Sequence, residues 1–222
     1  MKKISVITPH PDDETLGCGG TILKHCADGD SINWFIMTGM TEKHGFNPQA
    51  IKQRQEEIES VARMYGFSTV HNLNLPTTRL DEIPSGDIIN AISKVLLEVK
   101  PQIIYLPNRS DTHSDHRITF HAAWSCCKTF RFPFIRRVLM YEIPSETDFA
   151  PALPETAFFP NIFSDISQHL EKKIEIMRVY KGEMKEHPFP RSEQNIRSLA
   201  TVRGATANVE YAEAFMLLRE VF

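Results

Sequence analysis

Two short stretches hold most of the side chains that could do chemistry. PHPDDETLGCGG, residues 9–20, places His10, Asp12, Asp13 and Glu14 within five positions, and NRSDTHSDH, residues 108–116, adds His113, Asp115 and His116. His10, Asp13 and His116 make a two-histidine, one-carboxylate set suited to a catalytic zinc, which needs three protein ligands and an open position for water. Zinc lowers the pKa of that water and polarises a carbonyl, so hydrolysis can run at neutral pH. A general base is also needed, and the neighbouring Asp12 is available. In a loop, one aspartate can ligate while the other faces the substrate. His113 could steady an oxyanion or protonate a leaving amine, and Asp115 could fix an imidazole's tautomer. Other readings stay open, since a loop histidine can simply bond backbone and paired aspartates are common in solvated turns. The order is not that of H-E-x-x-H. GCGG lacks both phosphate-loop patterns, and the carboxylates before it would repel a phosphate.

The elements around these stretches must bring them together. KISVITP (3–9) reads as a buried strand leading into the first cluster, and PQIIYLP (101–107) as one leading into the second. Between them come a helix from about Gly19 to Ala27, a strand SINWFIMT and a helix over 48–66 with Asn47 as its cap. A short strand VHNLNL and a helix over 85–99 follow. A further helix follows Asp115, and VLMYEI (138–143) is another strand. Near-continuous apolar strands alternating with helices predict an α/β fold. The expectation is one domain over 1–222, with a Rossmann-like, mostly parallel sheet and helices on both faces. Ligands of such sheets sit beyond the carboxyl ends of the strands, where both polar clusters fall. Past residue 150 the spacing predicts a long charged helix over 165–186, then NIRSLATVR and YAEAFMLL packed on the same domain.

Composition narrows the function classes. The chain has 222 residues, enough for a real core, and its net charge of -3 (25 basic, 28 acidic) offers no basic surface for nucleic acid. FRFPFIRR, at 130–137, reads as a helix-to-strand connection. No 18-residue apolar run and no cleavage-site pattern occur, so neither stable membrane insertion nor a signal peptide is expected. Cys18, Cys26, Cys126 and Cys127 suit neither a disulfide framework nor a structural zinc, which fits reduced thiols in the cytoplasm. Apolar residues over 149–163 could supply a contact for a homo-oligomer.

PHPDDETLGCGG resembles the AHPDDE signature of the LmbE-like, or PIG-L, family of zinc-dependent deacetylases, and DTHSDHR (111–117) resembles that family's H-P-D-H motif. TG at 38–39, RQEE at 54–57, PTTRLD at 76–81 and YE at 141–142 extend the similarity over most of the chain. The resemblance implies one Zn2+ per chain held by His10, Asp13 and His116, with Asp12 as general base. His113 would then be acid or oxyanion partner, and Asp115 the carboxylate supporting a histidine. Arg54 resembles a family arginine near the active site, for which a surface salt bridge is the structural alternative. Arg203 and Glu213 are substrate-side candidates that an ion pair within the fold would explain equally well. The implied reaction removes the N-acetyl group from an N-acetylglucosamine-type sugar or conjugate. The alternatives are another acylated amine (an amino cyclitol, antibiotic or thiol-cofactor intermediate) and a non-catalytic sugar-binding protein. Two departures stand out, Thr8-Pro9 before His10 and Ser114 in place of the usual proline. Neither removes a polar group.

Overall fold

A computed structural model describes residues 1–222. Seven strands form one sheet in the order β3-β2-β1-β4-β5-β7-β6. These are β1 (Lys3–Thr8), β2 (Ser31–Gly39), β3 (Thr69–Pro76), β4 (Ile103–Pro107), β5 (Arg137–Tyr141), β6 (Ile162–Asp165) and β7 (Ala212–Glu220). The first five pair in parallel, while β7 runs antiparallel to both β5 and β6. The result is the expected α/β domain with a mostly parallel sheet.

Alternating side chains of the strands feed two cores. On one face Ile4, Val6, Trp34 and Tyr141 pack under α1 (Asp13–Ala27), α2 (Pro48–Tyr65), α5 (Leu170–Met177) and α6 (Glu193–Ala207). On the other, Ile7, Phe35, Leu106 and Met140 pack under α3 (Ser85–Val99) and α4 (Ser114–Ser125). Both faces are thus covered, which is why these strands read as apolar runs. Sequence order runs outward from β1 through β2 to β3, then jumps back to β4 on the other side of β1. That reversal opens a crevice at the carboxyl ends of β1 and β4, between α1 and α4. No helix is long and apolar enough to cross a membrane. All four cysteines are free, and Phe149, Leu153 and Phe159 of the 149–163 segment are exposed.

Local signals account for most boundaries. The Asn47 side chain accepts from the Ala50 N–H at 2.7 Å, with Pro48 in the first turn, as expected of a helix start. Two helices differ from their predicted spans. α1 begins at Asp13, because the Asp12 carbonyl accepts from the N–H groups of Thr15 and Leu16 at 3.0 and 2.9 Å. It then breaks at Cys18, whose φ is -147°. The break frees the N–H groups of Gly20 and Thr21, and both donate to Glu213 of β7 at 2.8 Å. Lys173 bonds the same carboxylate at 2.8 Å and the Leu16 carbonyl at 2.9 Å. Close packing makes glycine necessary here: a Cβ on Gly17 would lie 2.3 Å from the Tyr141 ring.

The predicted 165–186 helix survives only as α5. Beyond it the chain turns, with Gly182 at φ 88°, and carries Tyr180 and Glu183 toward the α1 end of the crevice. Glu213 is therefore a buried clasp on α1 rather than a substrate-side residue. Glu213→Ala should lower unfolding stability by about 3 kcal/mol, the scale of breaking a buried ion pair. Urea denaturation checks this, and a shift under about 0.5 kcal/mol, typical of a surface substitution, would contradict the clasp.

Candidate active site

His10 and His116 meet across the crevice although they leave different strands. His10 follows β1, and His116 stands in the first turn of α4. Their ring centroids are 5.3 Å apart. Asp13 lies between them, its Oδ2 3.4 Å from His10 Nδ1 and 3.5 Å from His116 Nε2. The ligand atoms of His10, Asp13 and His116 all lie within 4.8 Å of one another.

Two further carboxylates set the imidazoles. His10 Nε2 is 3.0 Å from Asp115 Oδ2, and His116 Nδ1 is 2.9 Å from Asp111 Oδ2. An ionised carboxylate only accepts, so each imidazole donates there and turns its other nitrogen toward Asp13. This donor set fits a divalent metal: two imidazoles and one carboxylate converge, each histidine backed by its own acid, and a bound metal would displace the proton that His10 otherwise holds toward Asp13. A second grouping, His10, His113 and Asp115, is also close. It fits less well, because the Asp115 carboxylate already accepts from His10, Thr78 N and Leu80 N, and His113 Nδ1 accepts from Asp115 N.

The electrostatics favour positive charge at the convergence point. Burial opposes a proton on His10, but hydrogen bonds to Asp115 and Asp13 overcome it and raise the pKa to about 10. Burial likewise opposes charge on Asp13, yet His116 and His10 lower its pKa to about 2. Asp12 goes the other way. Burial, then the charges of Asp13 and Glu183, push its carboxyl well above the usual range against the pull of Arg191 and His10. Two adjacent aspartates thereby acquire opposite tendencies, one to hold charge and one to take a proton.

His113 caps α4 by accepting from the Asp115 N–H at 3.0 Å, so its Nε2 carries the hydrogen when the ring is neutral. Asp12, Asp13, His113 and His116 line one chamber of about 350 Å3 together with Glu146 and Arg191. An adjoining cavity of about 290 Å3 shares His10, Thr77 and Thr78 with it.

The remaining sequence candidates divide. Asp115 supports His10, from the other motif, rather than either neighbouring histidine. Glu14 is fully buried and holds the loop, its Oε2 accepting from Asp12 N at 3.0 Å and its Oε1 from Tyr180 Oη at 2.7 Å. Arg54 lines the adjoining cavity, tied to Glu183 at 2.6 Å. Arg203 is not brought to the chamber; it forms a two-pronged pair with Glu142 at 2.7 and 2.6 Å. Four residues of the site escape sequence reasoning: Asp111, Glu146, Glu183 and Arg191. Asp111 carries a signal, as a spare acid five residues before His116. The other three lie in loops outside both motifs and carry none.

Comparison with known proteins bears on the family and the fold. A family profile described as PIG-L, GlcNAc-PI de-N-acetylase, matches residues 5–127, more than half the chain. A diacetylchitobiose deacetylase of Thermococcus kodakarensis is 25% identical, the alignment covering 100% of this chain and 85% of that one. The solved N,N'-diacetylchitobiose deacetylase of Pyrococcus horikoshii superposes with a TM-score of 0.77 at 24% identity, covering 98% of this chain and 84% of that one. Two structures at lower identity share the fold. One is the 4-carboxy-2-hydroxymuconate hydratase of Pseudomonas putida, with TM-score 0.77, 19% identity and coverage of 100% and 98%. The other is the A40926 pseudoaglycone deacetylase, with TM-score 0.75, 16% identity and coverage of 100% and 98%.

Burial, then the neighbouring imidazoles of His10 and His116, lowers the pKa of His113 to about 4. Because the unfolded histidine titrates near 6.5, the unfolded chain takes up this proton first. The contribution of His113 to stability is therefore present above about pH 6.5 and lost as pH falls toward 4. NMR titration should find the His113 ring neutral down to about pH 4. A midpoint at or above the ordinary histidine value would contradict the neutral Nε2–H donor.

Proposed function

The chain belongs to the PIG-L family, and from that membership and the site geometry we propose that it hydrolyses the amide of an acylated amine, with zinc held by His10, Asp13 and His116. At the level of the family, it is a metal-dependent deacetylase. One observation carries the assignment of roles: two imidazole nitrogens and a carboxylate oxygen converge in a chamber that also holds a second, differently tuned carboxylate and a neutral imidazole N–H. A divalent metal bound there supplies a Lewis acid that acidifies water and polarises the amide carbonyl.

The chain's own residues do the proton handling. Asp12, with its carboxyl raised by burial, takes a proton from water as the oxygen attacks the carbonyl carbon. His113 donates its Nε2–H to the carbonyl oxygen as negative charge gathers there. When the C–N bond breaks, the proton on Asp12 passes to the departing nitrogen. The products are a free amine and a carboxylic acid, which ionises.

Substrate choice falls to the adjoining cavity. Phe46 and Ile51 give it an apolar side, while Asn72, Asn74 and Thr77 give it neutral hydrogen-bonding groups. Its charged members, Arg54 and Glu183, are paired with each other at 2.6 Å. That lining suits a neutral, ring-sized scaffold with one apolar face. An N-acetylglucosamine-type sugar meets the description. The relatives reach further, to an antibiotic pseudoaglycone, so the wider class of acylated amines is better supported than a simple amino sugar.

Purified protein is expected to contain one equivalent of zinc, and His116→Ala to lose it. Asp12→Asn should keep the metal and lose at least about 100-fold in acetate release. The substrate panel is N,N'-diacetylchitobiose, nucleotide-linked and malate-linked N-acetylglucosamine, and an acylated glycopeptide. Metal-free active protein, or an Asp12→Asn variant with full activity, would sink the assignment.

A further inference from the structure

We propose that Arg191 is a positioning residue for the Asp12 carboxylate, one link in a closed network that grips Asp12 by side chain and backbone together; the inference rests on Asp12 being the base. Asp12 has a strained backbone, with φ at 120°, and is only 4% exposed. Its carboxylate makes a single hydrogen bond, from Arg191 Nη1 to Oδ2 at 3.3 Å. Oδ1 makes none and belongs to a residue lining the chamber.

From Arg191 the contacts run back to Asp12 through four side chains. Arg191 Nη2 lies 3.2 Å from Glu183 Oε2, and Glu183 Oε1 lies 2.6 Å from Arg54 Nη2. The Arg54 guanidinium sits over the Tyr180 ring at 5.6 Å. Tyr180 donates to Glu14, and Glu14 accepts from the Asp12 N–H. Tyr180, Glu183 and Arg191 all come from the segment between α5 and α6; the first two fall within the helix predicted over 165–186, and Arg191 lies beyond it.

Arg191 has little left for a substrate. Both terminal nitrogens face carboxylates, its Nε is enclosed without a partner, and its guanidinium lies 5.5 Å from the centre of the Phe189 ring. Removing it would leave the Asp12 side chain free to rotate on a strained backbone. A misplacement of about 1 Å can reduce a rate about 100-fold, so the expected loss is in turnover rather than in binding.

The test is Arg191→Gln in zinc-loaded protein with N,N'-diacetylchitobiose as the probe. The expected result is kcat lower by about 30- to 100-fold, KM within about twofold and metal content unchanged. Arg191→Lys should recover part of the loss. A crystal structure of Arg191→Gln should show the Asp12 carboxylate displaced or in two rotamers, with His10, Asp13 and His116 in place; this readout needs no substrate. Glu183→Gln, which releases Arg191 Nη2, should give a weaker form of the same pattern should Arg191→Gln not fold. An unmoved Asp12 carboxylate, or KM rising at constant kcat, overturns the proposal. Asp12→Asn separates the two readings. Full activity in that variant removes Asp12 as base, whereas an inactive Asp12→Asn beside a fully active Arg191→Gln removes only the role of Arg191.

Discussion

The Asp115 carboxylate is the point on which the site closes. It is fully buried, yet three donors from two other segments satisfy it: His10 Nε2 after β1, and the N–H groups of Thr78 and Leu80 after β3. A buried carboxylate left without such partners would be strongly destabilising. The three loops are therefore held to one geometry, and His10 is oriented in the same act. Asp111 does the same for His116 from within a single loop. Without these two acids, the imidazoles would have no fixed tautomer and no common target.

The rest of the fold makes room for that concentration of charge. Seven parallel-dominated strands place two carboxylate-rich loops at the switch point, where one helix from each face begins. At the start of α1 Glu14 holds the Asp12 N–H, and past Cys18 Glu213 reaches across from β7 to take the N–H groups that the break frees. Acids that look alike in sequence thus serve opposite ends. Asp12 and Asp13 face the chamber, while Glu14 and Glu213 hold the helix that carries them.

Much of the fold is legible in the residue pattern. Strand runs such as ISVIT and IIYLP are buried on both faces, so their apolar character shows without alternation, and Asn47-Pro48 marks a helix start by its own chemistry. The 165–186 helix stops short of its predicted end because helical spacing continues through residues that tertiary contacts turn aside; Tyr180 leaves to reach Glu14, and Gly182 allows the bend. Arg203 and Glu213 stand out in the sequence as charged residues near a resemblance, but both are spent on partners within the fold.

By itself, the sequence determined the sheet-helix alternation, the two reactive stretches and the residue types able to hold a metal, because these depend on local pattern and on side-chain chemistry. Tertiary structure set Asp12 and Asp13 to opposite electrostatic tendencies, where the family resemblance had implied their different roles. It also decided which histidine each second carboxylate supports, and brought Glu183 and Arg191 into the chamber. Those outcomes depend on burial and on distances between residues up to 179 positions apart, as with Asp12 and Arg191. No local pattern encodes them.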